Sequence, residues 1–125
     1  MKKLFSEIRT GVIGIGSMGQ NHARVYNEIS NLVGIADPDE ARGRSLATKF
    51  GVEWFSNFED MLDLVDAVSI ATPTQYHSKI AIHTAQAEVH LLVEKPLAHD
   101  LENSEKIIQA ASKANVVLSV GHIER

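Results

Sequence analysis

Gly11-Val12-Ile13-Gly14-Ile15-Gly16-Ser17-Met18-Gly19, close to the start of the chain, decides the fold. An apolar run leads into glycines spaced as in a strand that turns tightly into a helix and binds a dinucleotide at the turn. The first glycine permits the turn, the second lets the backbone approach a pyrophosphate, and the third lets helix and strand pack closely. The helix start then offers N–H groups and the positive end of its dipole to the phosphates. The predicted pyrophosphate-binding residues are Gly14, Ile15, Gly16, Ser17, Met18 and Gly19.

An acidic residue stands where such folds place a ribose-binding carboxylate, roughly 20 residues beyond the loop. This residue is Asp37, at the end of the second apolar run. A carboxylate there accepts both adenosine ribose hydroxyls and repels a 2′-phosphate, which favours NAD over NADP. Arg42 keeps NADP possible, because its guanidinium could pair with that phosphate; the alternative is a solvated charge on the second helix. A purely structural glycine turn is disfavoured, since strand, helix and Asp37 coincide.

Two hydrophobic periodicities alternate along the chain. Short runs rich in Val, Ile and Leu predict strands that are apolar on both faces. These runs are Gly11–Ile15, Leu32–Ala36, Glu53–Phe55, Asp66–Ala71, His90–Val93 and Val116–Val120. Longer amphipathic stretches predict helices. They are Met18–Ile29, Pro38–Phe50, Phe58–Leu64, Tyr76–Ala87 and Leu101–Ala114. This alternation predicts an α/β fold, a doubly wound parallel Rossmann sheet of about six strands in the order 3-2-1-4-5-6, with helices on both faces.

Several residues mark the expected helix ends. Pro38 suits a first-turn position, and Gly51 suits the residue after a helix. Asn57 followed by Asp60, and Asp100 before the last helix, are typical of N-terminal caps.

Composition describes an ordinary globular domain. The chain has 125 residues, of which 44% are apolar and 22% charged, and it has no cysteine. Cysteine chemistry is therefore excluded, and a net charge of −4 argues against nucleic acid. His83, His90 and His99 lack metal-ligand spacing with carboxylates, so no metal is assigned.

The start of the chain hints at a signal peptide. Lys2 and Lys3 precede apolar residues, but Glu7 and Arg9 interrupt them and no cleavage site follows. No apolar stretch is long enough to span a bilayer. We expect a single cytoplasmic domain over residues 1–125 that binds no membrane.

Polar clusters follow two later strands. The fourth strand leads into Ala71-Thr72-Pro73-Thr74-Gln75-Tyr76-His77, and the fifth leads into Glu94-Lys95-Pro96-Leu97. Both lie where the nicotinamide end of a cofactor is bound in a doubly wound sheet. Thr-Pro-Thr is equally plausible as a turn and helix entry.

These motifs together resemble the Gfo/Idh/MocA oxidoreductases. The resemblance rests on the glycine loop with His22-Ala23-Arg24, on Thr72-Pro73-Thr74 with His77, and most specifically on Glu94-Lys95-Pro96. It implies NAD or NADP as cofactor and a hydroxyl or carbonyl carbon of a sugar or cyclitol as the reacting centre. It also implies a C-terminal α/β domain, absent from this chain, that carries the proton-transfer residues.

The resemblance assigns individual roles as well. With it, the predicted cofactor contacts in the two later clusters are Ala71, Thr72, Pro73, Thr74, His77 and Glu94. Lys95 would contact the reacting hydroxyl and the nicotinamide ribose, Pro96 would follow a cis peptide bond, and His77 with the Thr72–Thr74 backbone would line the nicotinamide side. Chemistry supports Lys95 independently, because a partly buried lysine can stabilise alkoxide charge as hydride leaves. The alternative for Lys95 is a structural ion pair with Glu94. His122, near the expected cleft edge, is interpreted as a boundary or core histidine.

Three rival classes are weighed. A short-chain dehydrogenase is disfavoured, because Tyr76 and Lys79 are one residue too close for its Tyr-x-x-x-Lys pair. A methyltransferase rarely needs the three-glycine turn, because its cofactor has no pyrophosphate. A non-catalytic module that binds NAD to sense redox state or hold a partner leaves Glu-Lys-Pro unexplained. We expect a dehydrogenase domain that is poorly active alone and that self-associates, as a homo-oligomer, through the apolar surface where a second domain would dock.

Overall fold

The computed structural model describes residues 5–121 and contains one parallel sheet of six strands. The strands are β1 (Arg9–Ile13), β2 (Asn31–Ala36), β3 (Glu53–Phe55), β4 (Ala67–Ile70), β5 (His90–Glu94) and β6 (Leu118–Gly121). Their order across the sheet is β3-β2-β1-β4-β5-β6, and every pair is parallel. The predicted Rossmann topology is therefore confirmed. β1 lies two residues earlier than predicted, because Gly14 turns the chain out of the strand at φ +90°.

Four α-helices connect the strands: α1 (Ser17–Ile29), α2 (Glu40–Phe50), α3 (His77–Gln86) and α4 (Leu101–Ala114). The helix predicted over Phe58–Leu64 is wrong. Two separate 3₁₀ turns, Phe58–Asp60 and Leu62–Leu64, form there instead. So short a segment gains too few α-helical hydrogen bonds to offset the cost of starting a helix. Asn57 caps the first turn by accepting from the Glu59 N–H, as predicted.

The ends of two helices follow the sequence signals, with one correction. Pro38 is not in the first turn of α2, because the Asp39 side chain accepts from the Arg42 N–H and so acts as the cap. Gly51 ends α2 with a left-handed φ of +67°, and Asp100 caps α4, both as predicted.

The helices cover both faces of the sheet. Adjacent residues of a strand point to opposite faces, and the neighbours Val12 and Ile13 accordingly belong to different apolar clusters. The Val12 cluster packs under α1 and α2, whereas the Ile13 cluster packs under α3 and α4. All strands end at the same edge of the sheet, where the loops after β1, β2, β4 and β5 meet. Within residues 5–121 no helix is long and apolar enough to cross a membrane.

Candidate functional site

Two glycines of the loop after β1 are required by the protein itself. Gly14 has a positive φ, and a Cβ atom on it would lie 2.7 Å from the backbone nitrogen of Thr72. A Cβ atom on Gly19 would lie 1.8 Å from the carbonyl oxygen of Gly14. The loop therefore packs so tightly against β4 and α1 that neither position accepts a side chain.

Gly16 is different, because no contact with residues 5–121 requires a glycine there. Its φ of −64° is open to any residue, and a Cβ atom on it would meet no atom of the described residues within 4 Å. The residue faces a cleft at the carboxyl edge of the sheet. Free space at the second glycine is what the close approach of a pyrophosphate to the backbone requires.

The N-terminus of α1 is left open. Gly16 provides no side-chain cap, and the first turn contains no acidic residue. By contrast, α2 and α4 begin with the capping aspartates Asp39 and Asp100. The first-turn N–H groups of α1 therefore have no capping side chain, and together with the helix dipole they form a site for an anion.

Asp37 is held rigidly beside this helix start. Its side chain is buried, with the residue only 8% exposed. One carboxylate oxygen accepts from the Ile15 N–H at 3.0 Å, and the other accepts from the Asp39 N–H at 2.8 Å. The Asp37 carbonyl accepts from the Trp54 indole N–H at 2.9 Å, and its own N–H donates to Phe55. The carboxylate is thus fixed in the wall of the cleft.

Arg42 lies across the mouth of the cleft. Its guanidinium is 3.7 Å from an Asp37 oxygen and 3.9 Å from an Asp39 oxygen, and the side chain is half exposed. Arg42 also lines the cleft. It is therefore more than a solvated charge on α2, since it faces the carboxylate expected to bind the ribose.

The cleft has a volume of about 780 Å³ and joins the ends of β1, β2 and β4. It is lined by Gly14, Ile15, Gly16, Ser17, Met18, Asp37, Pro38, Arg42, Ala71, Thr72, Pro73, Tyr76 and Ile80. Most of the predicted cofactor residues are therefore brought together, and Pro38, Tyr76 and Ile80 are additions that motif spacing did not indicate. Gly19, Thr74, His77, Glu94 and Lys95 lie outside this lining.

Thr72 carries an unpaired polar atom in the cleft wall. Its hydroxyl is buried and has no hydrogen-bond partner among the residues that the structure describes. A buried hydroxyl without a partner is costly, so its place beside the open helix start fits a ligand that supplies the missing bond.

His77 joins two loops and is only 1% exposed. Its Nε2 lies 2.8 Å from the Thr72 carbonyl oxygen, and its Nδ1 lies 3.1 Å from that of Pro96 and 3.2 Å from that of Leu97. All three partners are carbonyl oxygens, so His77 donates from the ring nitrogen that carries hydrogen and lies between the turn after β4 and the loop after β5. The direct contact with the nicotinamide side that was expected of His77 stays a prediction.

The Glu-Lys-Pro segment closes β5. The Lys95–Pro96 peptide bond is cis, as the resemblance implied. The Lys95 N–H donates to the Gly121 carbonyl at 2.9 Å, while its side chain is exposed instead of partly buried, because none of the described elements covers it. Glu94 pairs with His22, and within residues 5–121 no carboxylate pairs with Lys95. The alternative of a Glu94–Lys95 ion pair is therefore not what forms.

A buried polar network that the sequence did not predict lies under α1. His22 is 6% exposed, and its Nε2 bonds to Glu94 while its Nδ1 lies 2.9 Å from the Ser69 hydroxyl. Ser69 also lies 2.5 Å from the Tyr26 hydroxyl. Burial raises the pKa of Tyr26, and the hydrogen bond with Ser69 opposes this only in part. A histidine one helical turn after a packed glycine was the available signal for a buried ring.

Within residues 5–121 no group of three or more histidine, aspartate or glutamate side chains is placed to hold a metal ion. His122 lies outside the described residues.

Residues 8–122 match the Gfo/Idh/MocA family, an oxidoreductase family with an NAD-binding Rossmann fold. The chain belongs to this family. A Gfo/Idh/MocA domain with an open α1 start and a free space at Gly16 agrees with the predicted NAD cofactor.

Relatives with named activities align along nearly the whole chain. UDP-N-acetylglucosamine 3-dehydrogenase of Acidithiobacillus ferrooxidans is 42% identical over 118 residues, which is 94% of this chain and 38% of that protein. Myo-inositol 2-dehydrogenase of Thermotoga maritima is 36% identical over 125 residues, covering 94% of this chain and 37% of the relative. The chain thus spans little more than a third of the relatives that it matches.

Solved structures agree. The Acidithiobacillus enzyme superposes with a TM-score of 0.90 at 40% identity, covering 93% of this chain and 38% of that one. The WlbA dehydrogenase of Bordetella pertussis, solved with NADH and UDP-GlcNAcA, has a TM-score of 0.86 at 32% identity. The match covers 92% of this chain and 37% of the WlbA chain.

Proposed function

We propose that this chain is the cofactor-binding part of a dehydrogenase that transfers hydride between NAD and a CH–OH or carbonyl carbon of a sugar or cyclitol. The observation that carries the proposal is Gly16, whose lack of a side chain serves no contact with the residues that the structure describes and leaves space for a ligand. The family supports the cofactor, and the polyhydroxylated substrates named for the relatives support the substrate class.

Different residues of the cleft bind different parts of the dinucleotide. The first turn of α1 and the backbone of Gly14–Gly19 hold the pyrophosphate, and Asp37 accepts from the adenosine ribose hydroxyls. The Thr72 hydroxyl bonds to the ligand, and the turn at Ala71, Pro73 and Thr74 leads the chain toward the nicotinamide end. NAD, when bound, supplies the hydride acceptor.

Lys95 acts on the substrate. Its ammonium is exposed at the carboxyl end of β5, where it is not engaged by a carboxylate of the described residues. It donates to the substrate oxygen and stabilises negative charge there as hydride leaves the carbon.

A complete active site also needs proton-transfer residues and further substrate contacts. Because the chain spans 38% of its relative, we place the proton-transfer residues and most substrate contacts in a second domain.

Val117 and Val120 at the β6 edge are 65% and 47% exposed, which supports a homo-oligomer. Sedimentation over a range of concentrations tests this, and a monomer throughout contradicts it.

The rival function is a non-catalytic module that binds NAD, and a chimera separates the two. Residues 8–121 would replace the matching segment of the Acidithiobacillus enzyme, whose fold superposes with a TM-score of 0.90. The absorbance of reduced nicotinamide then reports turnover of UDP-N-acetylglucosamine. Turnover that Lys95→Met abolishes while NAD binding persists supports the dehydrogenase. A folded chimera that binds NAD without turnover, beside an active native enzyme, supports the module.

A further inference from the structure

We infer that His22 is a positioning residue: through Glu94 it fixes Lys95 relative to the helix that holds the pyrophosphate. The inference rests on the proposed function, because it concerns how Lys95 meets the nicotinamide end of the same cofactor. We call the hydrogen bond between the His22 ring and the Glu94 carboxylate the strut. Glu94 forms it with the same side chain that is predicted to contact the cofactor.

The strut joins two elements that are proposed to contact opposite ends of NAD. His22 lies on α1, whose first turn faces the pyrophosphate, and Glu94 is the last residue of β5, directly before Lys95. The His22 Nε2–H donates to the Glu94 carboxylate, and both side chains are largely buried, at 5% and 14% exposed. Among the hydrogen bonds of the described residues, this one links α1 to the end of β5.

The ring of His22 cannot turn freely. Nε2 donates to Glu94, Nδ1 lies 2.9 Å from the Ser69 hydroxyl, and Ser69 in turn bonds to the Tyr26 hydroxyl. Every member of the network therefore has a hydrogen-bond partner, and both nitrogens of the His22 ring are engaged. Ser69 is completely buried between the apolar Val68 and Ile70, where a polar side chain is tolerated only when it is fully bonded.

The network completes a set of three tethers around Lys95. Its own N–H is held by the Gly121 carbonyl of β6, and the Pro96 carbonyl beyond it faces His77 of α3. His22 supplies the third tether, through the Glu94 side chain. The lysine side chain remains exposed while its backbone is fixed from three sides, which is the preorganisation that a group acting on a substrate needs.

The test compares two ligands on the 125-residue chain: NADH, and ADP-ribose, which has the adenosine and pyrophosphate but lacks the nicotinamide. Three variants are compared. His22→Asn and Glu94→Ala break the strut, whereas His22→Gln preserves a hydrogen bond at the same position. Calorimetric titration gives the affinities, and thermal unfolding shows which variants are folded.

We expect the two breaking variants to lose about tenfold in NADH affinity and to keep ADP-ribose affinity within about twofold, as for one lost charge-assisted hydrogen bond at the nicotinamide end. His22→Gln should keep NADH affinity within about twofold of the wild type. Because His22→Asn and Glu94→Ala break the same hydrogen bond from its two sides, one folded breaking variant is sufficient for the test. Equal losses for both ligands, or no loss for either, would overturn the positioning role alone. A folded wild-type chain that binds neither ligand would overturn the proposed function and with it this inference.

Discussion

The Ile15 N–H donates to the Asp37 carboxylate across 3.0 Å, so the residue expected to bind the ribose also holds the glycine loop in place. The same carboxylate accepts from the Asp39 N–H at the start of α2. The Asp37 side chain therefore serves both the predicted ribose contact and the geometry of the glycine loop. Its substitution should change both the stability of the fold and the affinity for NAD.

Asp37→Ala should lower the free energy of unfolding by about 1–3 kcal/mol, because the buried Ile15 N–H loses its acceptor. It should also raise the Kd for NAD more than that for NADP, since the ribose loses its acceptor and the repulsion of a 2′-phosphate disappears. Denaturant unfolding and calorimetric titration measure the two effects.

Asp39→Ala is the matched control, because it removes a capping carboxylate from the same turn. It should cost about 1 kcal/mol of stability and leave the affinity for NAD unchanged. Equal losses of NAD and NADP affinity in Asp37→Ala would contradict the assignment of the ribose site.

Arg42→Ala should weaken NADP more than NAD. The guanidinium lies 3.7 Å from Asp37, in the lining of the same cleft, where it can pair with a 2′-phosphate on the adenosine ribose. Combined with Asp37→Ala, it should remove the shift in relative affinity toward NADP that the single Asp37 variant shows. Competition between the two cofactors at equilibrium measures the ratio of the Kd for NADP to the Kd for NAD. An unchanged ratio in Arg42→Ala would mean that Arg42 does not contribute to the choice of cofactor.

His77→Ala should destabilise the fold by about 2 kcal/mol or more, because the hydrogen bonding between the ring and the backbone carbonyls of two loops is lost and a buried ring is removed. His83→Ala, on the same helix but with a 42% exposed side chain, is the control and should stay within about 0.5 kcal/mol. Similar values for the two variants would mean that His77 does not join the loops in solution.

Stability should decline at alkaline pH through Tyr26. Its pKa is raised in the fold by burial, so the folded chain keeps a proton that the unfolded chain loses near pH ~10. The contribution is complete below the unfolded pKa and is lost as the pH rises through the folded one. Tyr26→Phe should therefore flatten the fall in unfolding free energy above pH ~10, whereas Tyr76→Phe should not. An equally steep fall in both variants would contradict this.

Local patterns predicted what depends on neighbouring residues. The spacing of Gly14, Gly16 and Gly19 and the position of Asp37 follow from one strand–turn–helix unit, and the strand order follows from its repetition. The bond between His22 and Glu94 joins residues 72 positions apart, and no local pattern reveals it. A helix over Phe58–Leu64 was wrongly predicted because the apolar spacing of the segment suits a helix, although its short length favours two 3₁₀ turns. The exposure of Lys95 depends on what covers the end of β5, which spacing does not encode.

Gly16→Ser tests the central claim most directly, because it fills the space at Gly16 while serine is favoured at the start of a helix. Unfolding measurements should show no loss of stability, in contrast to Gly19→Ala, whose new Cβ atom collides with the Gly14 carbonyl oxygen. Calorimetric titration of folded Gly16→Ser with NAD should show an affinity at least about tenfold below that of the wild type. Wild-type affinity in Gly16→Ser would mean that the space is not where the pyrophosphate binds, and the account of this cleft as the NAD site would be wrong.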